Sequence, residues 1–446
     1  MRSVCTISNL LLPLFAGAVL TLAPARGVAS ENAEEEHAVV TEGPWKLELE
    51  GYGELQFSWL DFGPNQNREG GSRDDSRLVF EQTRFVLELE GEMPYEIEFG
   101  AEIEFEHGGT GAALELEYEE FGEYEQEVEK GGEVVVEELY LAKSFADDAF
   151  WVRAGRFYVA MGLLSELYEP TEYLAAGRPE SEQTVIPGVW DELGLEVGSQ
   201  LGPVELTAQV VNGLDSTGFS SQFWVASGHQ RRFELVRATD LAGIGRVDVT
   251  PLDGVMFGVS VYYGGTSRNR PKPDFAEQCP DGDLQREVAP CGYVSAPLLL
   301  VDAHAAIERG PVRARAMALW GKLEKADVIS EKNRNLSNNL EVLRTPVAEQ
   351  AFASWAELGV DVADFTALNP RHRIEPYVRY EYYDTMFDTR EDLFDNPRFE
   401  KTLYAAGIGY ALDEAVTAKL DWTHRSFGSD RLNSENRVRL GLGFVY

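Results

Sequence analysis

Apolar and polar residues alternate one by one through long stretches of this chain. Tyr95, Ile97, Phe99, Ala101, Ile103 and Phe105 are interleaved with Glu96, Glu98, Gly100, Glu102, Glu104 and Glu106. A period of two puts the apolar side chains on one face of an extended strand and the carboxylates on the other. Trp45, Leu47, Leu49, Leu55, Phe57 and Trp59 alternate in the same way with Lys46, Glu48, Glu50 and Glu54. The pattern returns at Val255, Phe257, Val259, Val261 and Tyr263, at Leu299, Val301, Ala303, Ala305 and Ile307, and at Val416, Ala418, Leu420 and Trp422. The template predicts sixteen strands, at 45–60, 78–90, 95–106, 134–143, 149–158, 190–199, 203–211, 240–250, 255–264, 297–308, 312–321, 350–363, 371–383, 401–412, 415–425 and 437–446. The number is even, and the lengths centre near the ~10 residues of a membrane-spanning strand.

The connections sort by parity. Long segments follow odd-numbered strands, as at 61–77, 107–133, 159–189, 265–296 and 322–349, and short ones follow even-numbered strands, as at 91–94, 144–148, 200–202, 251–254, 309–311 and 413–414. A soluble sandwich has no reason to sort its loops in this way, whereas an outer-membrane barrel has short periplasmic turns and longer extracellular loops. The predicted fold is therefore all-β, a transmembrane antiparallel barrel of about sixteen strands with its N-terminus on the periplasmic side. Val438, Leu440, Leu442, Phe444 and Tyr446 end the chain on an outward aromatic. Trp45, Trp59, Tyr95, Trp320 and Trp422 stand near strand ends, where interfacial girdles and ordinary β-propensity both place aromatics.

The N-terminus carries an address. Arg2 precedes a largely apolar run from Leu10 to Ala23, and small residues follow at Gly27 and Ala29, so residues 1–29 read as a signal peptide, with Ala25 as a second cleavage point. Residues 30–44 form an acidic periplasmic segment, and 45–446 a single barrel. Beyond residue 30 no apolar run reaches the roughly 18 residues of a membrane helix, so a closed barrel is the remaining way to satisfy every backbone group in lipid.

The chain has 446 residues and a formal charge of −37, with 44% hydrophobic and 11% aromatic residues. So apolar a chain is not a disordered acidic tail. Its acidity excludes a nucleic-acid partner, which needs a basic face. Cys279 and Cys291 share one loop with Pro271, Pro273, Pro280 and Pro290, and in an exported chain a disulfide between them is expected. His37, His107, His229, His304, His372 and His424 show no HExxH spacing, and there is no G-x-S-x-G elbow or phosphate-binding glycine loop. No enzyme activity, cofactor or metal site is expected. His304, between Asp302 and Glu308, reads as a lumen residue bonded to a neighbour, and the acidic stretch 115–138 as a solvated face beside lipopolysaccharide.

The segment Trp151-Val152-Arg153-Ala154-Gly155-Arg156-Phe157-Tyr158-Val159-Ala160-Met161-Gly162-Leu163 resembles the strand-to-loop motif of the phosphate-selective porin O/P family. Residues 188–197, the pair Asn212-Gly213, Gly245-Arg246-Val247 leading to Pro251, and Ile374-Glu375-Pro376-Tyr377-Val378-Arg379-Tyr380 extend the resemblance over 45–446. It implies a trimeric porin in the bacterial outer membrane, surrounded by lipid and lipopolysaccharide, with the loop 159–189 folded into the lumen and a preference for phosphate. The family's turn proline and aromatic are here Ala160 and Met161. The loop carries Glu166, Glu169, Glu172, Glu180 and Glu182 against Arg178 alone, a balance that favours cations or weak selectivity.

A sixteen-stranded barrel is about 30 Å across, so function is expected in the inward side chains. Parity places Glu48, Glu50, Glu54, Glu88, Glu90, Glu96, Glu98, Glu102 and Glu104 inside, with Lys46 and Arg84. Later strands add Arg246, Arg313, Arg315, Arg379, Lys419, Arg425, Arg437 and Arg439, and the inward loop is flanked by Arg153 and carries Arg178. Such a lumen is acidic on one side and mixed or basic on the other, a field that filters solutes by sign. On closure Arg437 and Arg439 come near acids such as Glu54, so ion pairing within the wall is the other reading. A barrel with a plugged lumen, acting as a hydrolase or an adhesin, is the alternative to a porin.

Overall fold

The computed structural model describes residues 38–42, 45–64, 74–109, 115–117, 125–127, 132–167, 169–230, 236–269, 275–277, 292–334, 345–366, 368–390 and 393–446. The expected signal peptide, Cys279 and Cys291 lie outside the described residues.

Sixteen strands form the wall: β1 (Trp45–Gly63), β2 (Asp75–Met93), β3 (Ile97–Glu106), β4 (Glu133–Phe145), β5 (Phe150–Tyr158), β6 (Asp191–Leu201), β7 (Val204–Asn212), β8 (Leu241–Leu252), β9 (Val255–Gly265), β10 (Pro297–Arg309), β11 (Val312–Leu323), β12 (Gln350–Val360), β13 (His372–Asp388), β14 (Glu400–Leu412), β15 (Val416–Phe427) and β16 (Glu435–Val445). Each pairs antiparallel with the next, and β16 pairs with β1 from Asn436↔Asp61 to Val445↔Tyr52, which closes the ring. Every strand expected from the alternation is present. The first hairpin is longer than expected, with 19 residues in each of β1 and β2, and Ala38–Glu42 adds a short strand against Trp45 to Leu49. Among the described residues no helix is long and apolar enough to cross a membrane.

Tight turns close the even-to-odd connections. Gly202, Gly254 and Gly310 take positive φ there, as do Asp147, Asp148 and Asp413, since tight reversals need left-handed backbone. Tyr95 and Glu96 also sit in such a turn, with φ of 75° and 56°. Glu96 is therefore not an inward strand residue; its side chain is 85% exposed. Outward positions are apolar and exposed all round the wall, for example Leu193, Leu195 and Val197 on β6, Val259, Val261 and Tyr263 on β9, and Leu440, Leu442 and Phe444 on β16. That belt is what lipid requires of a barrel's outer face.

The segment between β5 and β6 holds the short helix α1 (Glu180–Val185), and a second helix, α2 (Ala326–Arg334), follows β11. The first of these segments does not stay outside the ring. It meets β8, β10, β11, β12, β13, β15, β16 and β1 through side chains on their inner face.

Candidate functional site

The interior changes character along the barrel. Toward the extracellular end the inner face of β9 to β13 is apolar: Tyr262, Leu298, Leu300, Leu319, Trp355 and Tyr383 are buried against Val159, Met161, Leu163, Val185 and Ile186 of the inward loop and Leu214, Phe219 and Trp224 of the loop after β7. Parity reasoning that expects a uniformly wet lumen misses this filling. Its signal is the run Leu298, Leu299, Leu300, Val301, apolar at both parities, as strands buried on both faces are.

Below this core the inner wall is charged, and its cations hold the loop. Arg246 donates from Nη1 to the carbonyl of Gly162 at 3.0 Å and from Nε to Asp248 at 2.6 Å. Arg313 and Arg315 both donate to the carbonyl of Glu172. Arg313 also reaches Glu375 at 3.0 Å, and Arg315 contacts Glu308. Arg379 donates from Nε and Nη2 to Glu357 at 2.9 and 2.6 Å, and from Nη1 to the carbonyl of Gly177 at 2.9 Å. Lys419 donates to the carbonyls of Pro170 and Tyr173. Arg439 forks onto Asp421 at 3.0 and 3.1 Å, while Asp421 accepts the N–H of Ala176 at 2.8 Å. Carbonyls and carboxylates together offset much of the cost of burying these cations, although the Nε atoms of Arg313 and Arg315 are buried without a hydrogen bond.

The two arginines of β16 do not meet Glu54. The closing register sets Gly443 opposite Glu54 and Arg439 opposite Ser58; Arg437 approaches Glu180 of the loop at 3.9 Å. Glu54 instead accepts from the Tyr173 hydroxyl and faces Arg84 across the strand pair. Arg178 donates to the carbonyl of Gly188 at 3.3 Å and lies within electrostatic reach of Arg84, Tyr52, Glu54 and Glu104. Arg425 bridges Glu180 and Glu435.

On the opposite wall, β1 to β4, the register aligns like charges. Glu50 pairs with Glu88, Glu88 with Glu102, and Glu102 with Glu138, one row of carboxylates across four neighbouring strands. Glu48 pairs with Glu90, and Glu92 with Glu98, in adjacent rows. The charged neighbours acting on Glu88 are Glu102, Glu90, Glu138 and Glu50. A bulge after Glu102 places Glu137 beside the row, where the Tyr158 hydroxyl lies 2.7 Å from Glu102 and 3.0 Å from Glu137. Relief comes at the edges: Arg84 bonds Glu104 and stacks over Tyr52 at 5.0 Å, and Arg153 lies over Tyr140 at 4.4 Å and 3.9 Å from Glu196. Lys46 bonds Glu92 at 2.7 Å, and Glu98 accepts from Ser144 at 3.3 Å. Opposed like charges directly across neighbouring strands destabilise a sheet.

Two loop carboxylates feel the interior in opposite ways. Burial works against the charge on Glu180, but Arg425, Lys401, Arg437 and the Tyr383 hydroxyl outweigh it and hold the carboxyl well below the usual range. Burial pushes the carboxyl of Glu182 up to about 7, against the pull of the N–H groups of Leu164, Trp355 and Leu163. Those donors lie at 2.9, 2.7 and 2.8 Å.

A closed sixteen-stranded antiparallel barrel with an apolar outer belt has the fold of an outer-membrane barrel, and it resides in the bacterial outer membrane. Solved structures share the fold. The high-pH structure of Pseudomonas putida OprB superposes with a TM-score of 0.52 at 13% identity, over 90% of this chain and 94% of that one. The Vibrio cholerae outer-membrane protein OmpT matches with a TM-score of 0.50 at 9% identity, over 92% of this chain and all of that one. Its loop L8 deletion mutant gives 0.51 at 9% identity, over 90% of this chain. No family model matches the sequence. An uncharacterized protein of Aquifex aeolicus (strain VF5) is 25% identical over 221 residues, 49% of this chain and 44% of that protein's length.

Proposed function

We propose that this protein is a porin, a passive diffusion channel for small ions and hydrophilic solutes that favours cations and catalyses no reaction. One contrast carries the reading. The arginines of β8, β11, β13, β15 and β16 are engaged by wall and loop carboxylates or by loop carbonyls, while β1 to β4 present the row Glu50, Glu88, Glu102 and Glu138. Two unit charges about 5 Å apart interact by about 1 kcal/mol even in water, and by more in a narrow, poorly hydrated passage. A cation entering between the loop and this wall relieves the mutual repulsion of the crowded acids, which an anion cannot do. Glu48, Glu54, Glu98 and Glu102 are the pore-lining acids in this reading, with Arg84, Arg153 and Arg178 as the cations facing the same passage. A homotrimer, on the strength of the family resemblance, cleavage of residues 1–29 on export, from their apolar run and small residues, and a lipopolysaccharide-contacting rim, from the acidic loops, complete the proposal.

Reversal potential in asymmetric KCl across a planar bilayer tests it: the expected sign is that of a cation-preferring channel. Chloride preference with block of the current by phosphate would favour the phosphate-selective alternative. The apolar packing of the inward loop supports a second reading, a plugged barrel with an adhesive or hydrolytic role, and absence of single-channel steps would favour that one.

A further inference from the structure

Gly162, at the tip where the chain leaves β5 and turns into the barrel, is gripped at both backbone groups. Its N–H donates to Asp302 Oδ2 at 3.0 Å and its carbonyl accepts from Arg246 Nη1 at 3.0 Å. Arg246 Nε continues to Asp248 Oδ2 at 2.6 Å. His304 completes the circuit, with Nδ1 2.6 Å from Asp302 Oδ1 and Nε2 2.8 Å from Asp248 Oδ1. Asp248 and His304 are not on adjacent strands; they flank β9, and each lies opposite Gly258 in the register. A Cβ there would sit 2.0 Å from Asp248 Oδ1 and 2.1 Å from His304 Nε2, so only glycine leaves room for the bond.

We propose that His304, carrying both ring protons, is a positioning residue for the tip of the inward loop, clasping Gly162 through Asp302 and, by way of Asp248, through Arg246. The reason is donor arithmetic. Both ring nitrogens face carboxylate oxygens, and a neutral imidazole has one N–H, so one nitrogen would then present a lone pair to an anion. With the doubly protonated ring, His304 and Arg246 balance Asp248 and Asp302; without it the clasp holds a surplus negative charge. The other groups packed on it are Ser260 of β9, Met317 of β11 and, from the loop, Ser165 and the carboxyl of Glu182, which lies within electrostatic reach of Asp302. The side chain of Asp248 is 15% exposed, giving protons a route in. Raising the pH thus releases the tip of the loop.

Amide hydrogen exchange over residues 160–165 in the detergent-folded full chain, corrected for intrinsic rates, reads the clasp directly. The measurement is made in a Glu182→Gln background so that this carboxyl does not titrate. Protection is expected to fall about tenfold or more between pH 6 and 9, the loss of one charge-assisted bond. Asp248→Asn should abolish this dependence and keep the loop protected, because an amide donates to the neutral ring. His304→Gln and Gly258→Ala should lower protection at pH 6 to about the level that the parent reaches at pH 9. Equal, pH-independent protection in the parent and in His304→Gln would overturn the proposal. Exchange needs no current, so a barrel that conducts nothing would remove the porin reading and leave this result standing.

Discussion

Arg379 of β13 lies against Glu357 of β12 with two guanidinium nitrogens at 2.9 and 2.6 Å, both side chains 1% exposed, and carries the inward loop on its remaining arm through the carbonyl of Gly177. Arg315 lies 3.6 Å from the same carboxylate and Glu381 3.8 Å from the same guanidinium, so the pair is the centre of a buried charge network.

Arg379→Ala is therefore expected to cost about 1–3 kcal/mol, the loss of buried charge-assisted hydrogen bonds, because Glu357 keeps Arg315 at 3.6 Å, while Arg379→Lys should recover part of it. Thermal unfolding of the detergent-folded barrel checks both. An Arg379→Ala protein as stable as the parent would show that the loop does not depend on this contact.

Glu182 supplies a pH dependence whose sign follows from its environment. Its carboxyl titrates at about 7 in the folded chain and near ~4.3 in an unfolded one. A raised value means the folded state binds the proton more tightly, so this contribution is full below about 4.3 and is lost as pH rises through 7. The loss amounts to about 3–4 kcal/mol at most. The parent protein should lose stability relative to Glu182→Gln as pH rises from 5 to 8, measured as the difference between their unfolding midpoints. A constant difference would contradict the assignment.

The carboxylate row makes a selectivity prediction. Replacing Glu50 and Glu88 by Gln removes two carboxyl groups whose register partners are themselves acids, so the barrel should fold at least as well while the potassium-to-chloride permeability ratio moves toward one. Glu48→Gln, in the neighbouring row, should move it in the same direction by less. Reversal potentials of the purified variants give the ratios. An unchanged ratio in the double variant would place the selectivity elsewhere.

The barrel was legible because its signal is local. Residues 95–106 declare a two-faced strand within a dozen positions, and the short links at 200–202, 309–311 and 413–414 declare hairpins without reference to anything distant. The interior was legible only in its residue types. Alternation indicates that Arg439 shares a face with Arg437, yet not that one bonds Asp421 while the other approaches Glu180 of the loop. Glu96 shows the limit even within a strand, since its parity is right and a left-handed turn removes it from the wall.

The sequence by itself determined that the chain forms sixteen two-faced strands and that they close in lipid, because alternation acts over neighbouring residues and an open edge cannot survive among acyl chains. The tertiary structure decided what the inner face does. Register brought Glu50, Glu88, Glu102 and Glu138 into one row and set Asp248 and His304 on either side of a bare Gly258. The inward loop then engaged the arginines and covered the apolar half of the lumen. Those contacts join residues far apart in the chain, and they exist only once the ring has closed and one segment has folded back into it.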